Sequence, residues 1–277
     1  MIPKQRLKDW IPPHLMRWGR KLTGRSLRFV GRPQTWQHAM EMSTGYMEGS
    51  ILDRVADATR LVNAGKAVFE RDGVVFHSLD YSYPLLACLL HAAAGNNGEL
   101  DVVDFGGALG STYRQCRPFF AGLEQVRWRV IEQLNFVDLG RREFETAELT
   151  FYSHASQLPV AASSRRVLLL SSVLQYIENP LEMLRELTQL SWSHVIIDRT
   201  PVSDHPMHRL CVQEVPPNIY KASYPCWILA KDRLLGALSE GWTPMCEFPC
   251  HDGQWETDDG LEFEFRGFLF LPKSQHS

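Results

Sequence analysis

A short apolar run passes directly into a glycine-rich turn, and the turn passes into a segment with helical spacing. The run is Val102–Phe105, the turn is Gly106–Gly110, and a helix is predicted to begin at Ser111. Glycines at a strand-to-helix turn let the backbone approach a ligand closely, and the start of the helix offers free N–H groups. The segment therefore predicts an α/β fold that binds a nucleotide-like ligand beyond the end of a strand.

The rest of the chain alternates β-rich runs with helical segments. The predicted strands are Leu100–Phe105, Trp128–Ile131, Leu149–Tyr152, Val167–Leu170 and Val195–Ile197. The first two predicted helices are 51–65 and 83–94. A third is predicted to have Asn179 as its N-cap, to begin at Pro180 and to carry a buried leucine stripe as far as Leu190. This alternation predicts a mostly parallel Rossmann-like sheet with helices on both faces. A C-terminal antiparallel hairpin is predicted from Thr243–Phe248 and Phe263–Leu271.

Charge is distributed unevenly along the 277 residues. Residues 1–32 contain nine Lys or Arg and one Asp, a net charge of +8, which leaves −11 for the remainder within the total of −3. An acidic body lacks the broad basic face that nucleic acids require, so no nucleic-acid partner is expected. A basic head that contains Trp10, Trp18 and Phe29 is typical of a surface-binding segment, and we expect peripheral contact with an anionic membrane. Docking on the acidic body or on a partner enzyme is the alternative.

Six scattered cysteines, and no apolar run near the roughly 18 residues that span a membrane, favour a cytoplasmic protein. We predict a basic N-terminal extension at 1–35, a helical cap at 36–98 and a Rossmann-like domain at 99–277. Within that domain, 201–227 is a proline- and aromatic-rich insertion that we expect to help build the pocket for a second substrate.

The glycine turn distinguishes between two classes of ligand. A dinucleotide fingerprint ending at Gly110 would require glycine at position 105, where the chain has Phe105. Asp104 followed by Gly106, Ala108 and Gly110 instead fits S-adenosylmethionine (SAM), because a carboxylate suits its cationic methionine end and would repel a pyrophosphate. We therefore predict SAM as cofactor and expect Gly110 to leave space for it. A tight turn without a ligand is the structural alternative.

Other cofactor contacts are predicted from their places at the ends of strands. Glu132 ends the second strand, where a carboxylate can accept hydrogen bonds from both ribose hydroxyls; a solvated surface glutamate is the alternative. The remaining candidates are Gly107, Ser111, Gln133, His154, Ser171 and Ser172.

From Trp36 to Leu271 the chain resembles a largely uncharacterised family of methyltransferases associated with bacterial surface-polysaccharide gene clusters. The segments that carry the resemblance are 43–46, 69–72, 103–111, 128–133, 197–201 and 224–225. The resemblance implies a class I methyltransferase fold and SAM as methyl donor, with a saccharide or related small acceptor, free or lipid-linked, as the expected substrate. A nicotinamide-dependent sugar oxidoreductase or epimerase, and a catalytically silent relative, stay open as alternatives.

Methyl transfer needs alignment of acceptor and methyl group, and a base only where the acceptor must lose a proton. We predict His205 as that base, with Asp198 and His208 as alternatives. A zinc site at His205, His208 and Cys211 lacks a clear fourth ligand, so no metal is expected. The predicted acceptor-binding residues are Arg71, Asp72, Arg199, Tyr220 and Tyr224.

Overall fold

The computed structural model describes residues 27–44, 48–78, 82–159, 165–216 and 222–273. The strands are β1 (Arg28–Val30), β2 (Phe69–Arg71), β3 (Val74–Phe76), β4 (Glu99–Phe105), β5 (Gln125–Ile131), β6 (Leu149–Tyr152), β7 (Val167–Ser171), β8 (His194–Ser203), β9 (Arg209–Val215), β10 (Ala222–Ala230), β11 (Trp242–Glu256) and β12 (Glu262–Pro272). The helices are α1 (Trp36–Met42), α2 (Glu48–Asn63), α3 (Tyr83–Ala94), α4 (Ser111–Cys116), α5 (Leu134–Glu143), α6 (Pro180–Thr188) and α7 (Lys231–Leu238).

The described residues form two compact units. The larger unit is drawn from residues 47–209, 227–255 and 262–277 and contains the parallel sheet. Strands β6, β5, β4, β7 and β8 lie side by side in that order, all parallel. Strand β12 runs antiparallel to β8, and β11 pairs with β12. Five parallel strands closed by this hairpin confirm the predicted fold class.

The central strands are buried on both faces, as expected for a parallel sheet covered by helices. Val102 and Val103 of β4 and Leu168 of β7 have no exposed surface. Helix α3 packs against β4, and α5 packs against β6. These helices therefore cover the sheet at whose strand ends the site is built.

Helix α6 differs in two details from its prediction. Asn179 occupies the N-cap position, but its side chain makes no capping hydrogen bond, and Pro180 begins the helix. Leu184 and Leu187 are buried as predicted, whereas Leu190 is 47% exposed. The prediction was wrong for Leu190 because the helix ends at Thr188, so the stripe no longer faces the core.

Strand β8 is much longer than the predicted Val195–Ile197. It continues to Ser203 because β12 pairs with it from Val195 to Val202. The loop after this strand therefore begins at Asp204, and residues 198–203, which were expected to be a loop, are strand. The predicted insertion at 201–227 likewise contains β9 and part of β10.

The smaller unit is drawn from residues 1–46, 210–226 and 256–261. In it β1 runs antiparallel to β9, and the Gly31 N–H donates to the carboxylate of Asp258 at 3.1 Å. Phe29 of β1 is only 1% exposed. The prediction of an unpacked extension is therefore wrong for 28–30, while residues 1–26, with Trp10 and Trp18, lie outside the described residues. The predicted domain boundaries stay predictions.

Within the described part of the chain, no helix is long and apolar enough to cross a membrane.

Candidate active site

The site lies at β4, the strand at which the order of strands in the sheet reverses. Strand β5, which follows β4, lies on one side of it, and β7 lies on the other. Ligands of open α/β sheets bind beyond the carboxyl ends of strands at such a switch point. The turn Gly106–Gly110 follows β4, Glu132 follows β5, and Ser172 follows β7. Most of the predicted cofactor residues therefore meet at one edge of the sheet.

The turn after β4 is held by the packing of the chain itself. The φ angles of Gly106, Ala108 and Gly110 are 73°, 50° and 86°. A Cβ atom on Gly106 would lie 2.5 Å from Val173, and one on Gly110 would lie 2.9 Å from Leu149 and from Arg114. The space that a side chain at Gly110 would occupy is therefore filled by other side chains and is not open to a ligand, whereas the role of Gly110 in cofactor binding stays a prediction.

Asp104 lies beneath this turn. It is 1% exposed, and a Cβ atom on Gly107 would lie 2.5 Å from its carboxyl group. The indole Nε1–H of Trp128 donates to Asp104 Oδ2 at 2.9 Å. Burial raises the pKa of Asp104 to about 7, and the indole hydrogen bond opposes this rise. A buried carboxyl group thus supports the turn from below.

Glu132 lies beside the turn. Its Oε2 accepts from the Gln133 N–H at 2.7 Å, and the Ala108 N–H lies near enough to favour the charged carboxylate. Burial raises its pKa, and the two N–H groups partly oppose the rise. A half-buried carboxylate held against the glycine turn is well placed to accept hydrogen bonds from a ligand. Gln133, which follows Glu132 after β5, and His154, which follows β6, are exposed.

A second group of charged side chains surrounds Arg199, which has a left-handed φ of 50°. Its Nε lies 3.1 Å from Asp252 Oδ2, and its Nη2 lies 3.6 Å from Asp72 Oδ2. Burial would lower the pKa of Arg199, but the carboxylates of Asp252, Asp72 and Asp198 raise it above its ordinary value. The guanidinium is therefore held as a cation by two ion pairs.

Asp198 is fully buried in β8. Ser171 Oγ donates to its Oδ2 at 2.8 Å, and Cys250 Sγ lies 3.6 Å from its Oδ1. Burial raises the pKa of Asp198. Predicted cofactor residue Ser171 and predicted catalytic residue Asp198 are therefore in direct contact.

A polar cavity lies beside Asp198 and Arg199 and reaches the start of helix α4 at Ser111. It contains about 300 Å³ of empty space, part of it open to solvent. Its lining residues are Glu70, Arg71, Ser82, Leu85, Ser111, Thr112, Gln115, Ser171, Asp198 and Arg199. Five of the predicted site residues thus line one cavity: Arg71, Ser111, Ser171, Asp198 and Arg199.

Glu70 is a site residue that the sequence reasoning missed. It is 3% exposed, its carboxylate accepts from Ser111 Oγ and from the Gly73 N–H, and burial raises its pKa to about 7. Asp72 and Gly73 both have positive φ angles in the turn between β2 and β3. An Asp-Gly pair between β-rich residues is a hairpin signal, and it could have identified β2 and the place of Glu70.

The two predicted histidines do not line this cavity. His205 is exposed, and its Nδ1 accepts from the Met207 N–H at 3.1 Å. His208 Nδ1 accepts from the Ala230 N–H at 2.9 Å, and burial lowers the pKa of this imidazole. Both were expected in a loop that begins after residue 197, but β8 continues to Ser203, so the loop that carries them begins farther along the chain. Their catalytic roles stay predictions.

Of the two predicted acceptor-binding tyrosines, Tyr224 belongs to the smaller unit. It is 7% exposed, and its hydroxyl accepts from Gln213 Nε2 at 3.3 Å. Tyr220 lies outside the described residues. Among the residues that are described, no group of three or more His, Cys, Asp or Glu side chains could hold a metal ion.

No family model matches the chain, and no curated protein matches it in sequence. Among solved structures, it is similar to the N-terminal domain of EvdMO1 in the presence of SAH (S-adenosylhomocysteine) and D-fucose, with 14% identity over 82% of this chain and 97% of that chain and a TM-score of 0.45. It is also similar to a SAM-dependent methyltransferase from Methanosarcina mazei, with 10% identity over 64% and 95% of the two chains and a TM-score of 0.45.

A third similar structure is the Burkholderia thailandensis 1,6-didemethyltoxoflavin-N1-methyltransferase with bound 1,6-didemethyltoxoflavin and SAH, with 16% identity over 83% and 91% of the chains and a TM-score of 0.38. At these identities the likeness concerns the fold alone.

Proposed function

We propose that the protein is a SAM-dependent methyltransferase. The observation that supports this most directly is the pair of carboxylates at the glycine turn: Asp104 lies beneath Gly107, and Glu132 lies close enough to Ala108 for its N–H to favour the charged carboxylate. A pyrophosphate at this turn would be repelled by the carboxylate of Asp104, whereas a carboxylate at the place of Glu132 accepts ribose hydroxyls in NAD and in SAM alike. A cationic ligand with a ribose suits them, because the sulfonium and ammonium groups are positive and the ribose hydroxyls are donors.

The residues present fit such a cofactor. Glu132 would accept the ribose hydroxyls, Asp104 would give the turn a negative potential, and Ser171 and Ser172 would contact the ligand from the end of β7. Gln133 and His154 would lie along the adenosine. When bound, SAM supplies an electrophilic methyl group. The chain's own part is to bind and orient the two reactants and to exclude water from between them.

The nicotinamide alternative is less well supported. Phe105 occupies the position at which the dinucleotide fingerprint needs glycine, and the buried carboxyl group of Asp104 lies directly under the turn. A catalytically silent relative would keep the same cofactor contacts and differ only in turnover.

For the acceptor we propose a saccharide or related small molecule of cell-surface polysaccharide biosynthesis, free or lipid-linked. This rests on the resemblance of the sequence to methyltransferases of that setting. His205 remains the proposed base, with Asp198 and His208 as alternatives, and Asp198 is the one of these three that lines the cavity. Arg71, Asp72 and Arg199 are charged groups at or beside this cavity that an acceptor could meet.

Isothermal titration calorimetry of the full chain with SAH, SAM and NAD tests the cofactor assignment. SAH and SAM should bind and NAD should not. Binding of NAD in preference to SAH would contradict the proposal, and so would the absence of heat with both SAH and SAM. Comparing the methyl content of surface glycans from a deletion strain and its parent tests the acceptor class, and equal methylation in both would contradict it.

A further inference from the structure

Arg71 differs from the other arginine of the cavity in having no partner of opposite charge in contact. Among the described residues its guanidinium makes no hydrogen bond and no ion pair, and Cζ lies 5.8 Å from the centroid of the Phe69 ring. Arg199 in the same cavity is bound by both Asp252 and Asp72. Burial lowers the pKa of Arg71, and the positive charge of Arg199 adds to this effect, while the carboxylates of Asp252, Asp72 and Asp198 oppose it without contacting the guanidinium.

A half-buried guanidinium without a partner is costly, because part of its hydration has been lost and nothing in contact replaces it. A carboxylate is the best match for it, since the planar fork of five donors can bind both carboxylate oxygens at once. Arg71 lines the cavity, so a ligand in the cavity can supply that carboxylate.

The same cavity also presents carboxyl groups. Glu70 and Asp198 line it, and both are almost fully buried. The oxygens of Glu70 and Asp198 can accept hydrogen bonds from an ammonium group, while the guanidinium of Arg71 can bind a carboxylate. They suit a zwitterion, which brings a positive and a negative group together, and an α-amino acid is the smallest ligand of this kind.

The position of the cavity indicates which part of the cofactor reaches it. Glu132, the proposed ribose contact, lies on the β5 side of β4, whereas Ser171 and Asp198 lie on the β7 side. A ligand that crosses the switch point with its ribose at Glu132 has its other end at the cavity. In SAM that other end is a methionine, with one ammonium and one carboxylate.

We propose that this cavity receives the amino-acid end of the cofactor and that Arg71 binds its α-carboxylate. The inference rests on the proposed function and assigns Arg71 to the cofactor, whereas the sequence placed it with the acceptor. Arg71 would then select cofactors that carry the complete amino acid over those that have lost it.

Calorimetry with two ligands tests this assignment. SAH contains the amino acid, and 5′-methylthioadenosine contains the adenosine and sulfur without it. Arg71→Met should weaken SAH binding by about 10- to 100-fold, the range of a charge-assisted hydrogen-bond pair, and leave 5′-methylthioadenosine binding unchanged. Arg71→Lys should lie between the parent and Arg71→Met. Arg185→Met, which removes an exposed arginine of α6, is the matched control and should bind both ligands as the parent does.

The results separate the two levels of the proposal. Equal SAH affinity in the parent and Arg71→Met would overturn the role of Arg71 and leave the cofactor assignment standing, as would an equal loss for both ligands. A parent protein that binds neither ligand would overturn the cofactor assignment itself. Chemical denaturation without ligand gives a second measurement: Arg71→Met should be at least as stable as the parent, because no native ion pair is lost, and a clear loss of stability would mean that Arg71 is structural.

Discussion

The indole of Trp128 donates a hydrogen bond of 2.9 Å to Asp104, the carboxyl group directly beneath Gly107 of the glycine turn. Trp128 is fully buried in β5, and Asp104 is buried at the end of β4. The contact therefore ties two neighbouring parallel strands together at the point where the proposed cofactor binds, and it gives a buried acid one fixed orientation.

Replacing this donor should destabilise the protein in a pH-dependent manner. Trp128→Phe removes a hydrogen bond to a group that ionises near neutrality, a loss of about 1.5–3 kcal/mol in addition to the lost packing. The loss should be larger above pH 7 than at about pH 5, because the indole favours the ionised carboxylate. Urea denaturation at both pH values measures it. Trp192→Phe is the control: its buried indole donates to the Leu187 carbonyl, so the cost there should not depend on pH.

The parent protein should itself become less stable as the pH rises towards neutrality. Burial raises the pKa of Asp104 from 3.8 to about 7 and that of Glu70 from 4.5 to about 7. Between about pH 4 and pH 7 the folded state therefore binds more protons than the unfolded state, and the free energy of unfolding falls by up to ~1.4 kcal/mol per pH unit for each group. Asp104→Asn, which keeps an oxygen for the indole, should reduce this slope. An unchanged slope would show that Asp104 ionises normally.

Glu132 is predicted to hold the ribose. Glu132→Ala should weaken SAH binding by roughly 1.5–3 kcal/mol, the scale of hydrogen bonds to a charged group, while the fold survives because the side chain is only half-buried. Glu145→Ala, at an exposed site after α5, should have no effect on binding. Calorimetry measures both, and unaltered SAH affinity in Glu132→Ala would move the ribose contact elsewhere.

Ala108 is a residue whose replacement by glycine should stabilise the protein. Its φ of 50° is left-handed, a conformation that costs an L-residue about 1–2 kcal/mol, whereas glycine adopts it freely. After allowing for the greater freedom of glycine in the unfolded chain, Ala108→Gly should gain about 0.5–1 kcal/mol. The same change at Ala237 in helix α7 should cost a similar amount. Thermal denaturation of the two variants should thus give shifts of opposite sign.

The basic head is predicted to bind anionic membranes. Deletion should stop before β1, because Phe29 is buried there. Removal of residues 1–26 should abolish sedimentation with anionic liposomes and leave SAH binding intact, and salt should weaken sedimentation of the full chain. If the full chain does not sediment at low salt, the head is to be tested for docking on a protein partner instead.

The sequence predicted the framework of the fold well, because the buried strands and helices depend on local patterns. Helix Tyr83–Ala94 and strand Leu149–Tyr152 have the predicted bounds. The predicted strand bounds are wrong where pairing with a strand far away in the sequence determines how long a strand is. Strand β8 continues to Ser203 only because β12, more than 60 residues later in the chain, pairs with it. The pattern of apolar and polar residues within 194–203 carries no information about that partner strand.

The same distinction applies to the candidate site. The glycine turn and Glu132 are local features at the ends of strands, and the structure brings them into contact. The cavity was predictable only in part, since it depends on the β2–β3 hairpin, which positions Glu70 against Ser111. Assigning the base to His205 assumed a strand end near residue 197, and pairing with β12 moved that end by several residues.

Three residues other than glycine have left-handed backbones on three neighbouring parallel strands: Ala108 and Ser172 in the turns after β4 and β7, and Arg199 within β8. Each conformation is unfavourable for an L-residue and is maintained by the structure around it. The backbone at these positions is thus already ordered before any ligand arrives, and the entropy of ordering it is lost during folding. Ligand recognition at this edge of the sheet should therefore be preorganised, with little backbone rearrangement between the free and the bound protein.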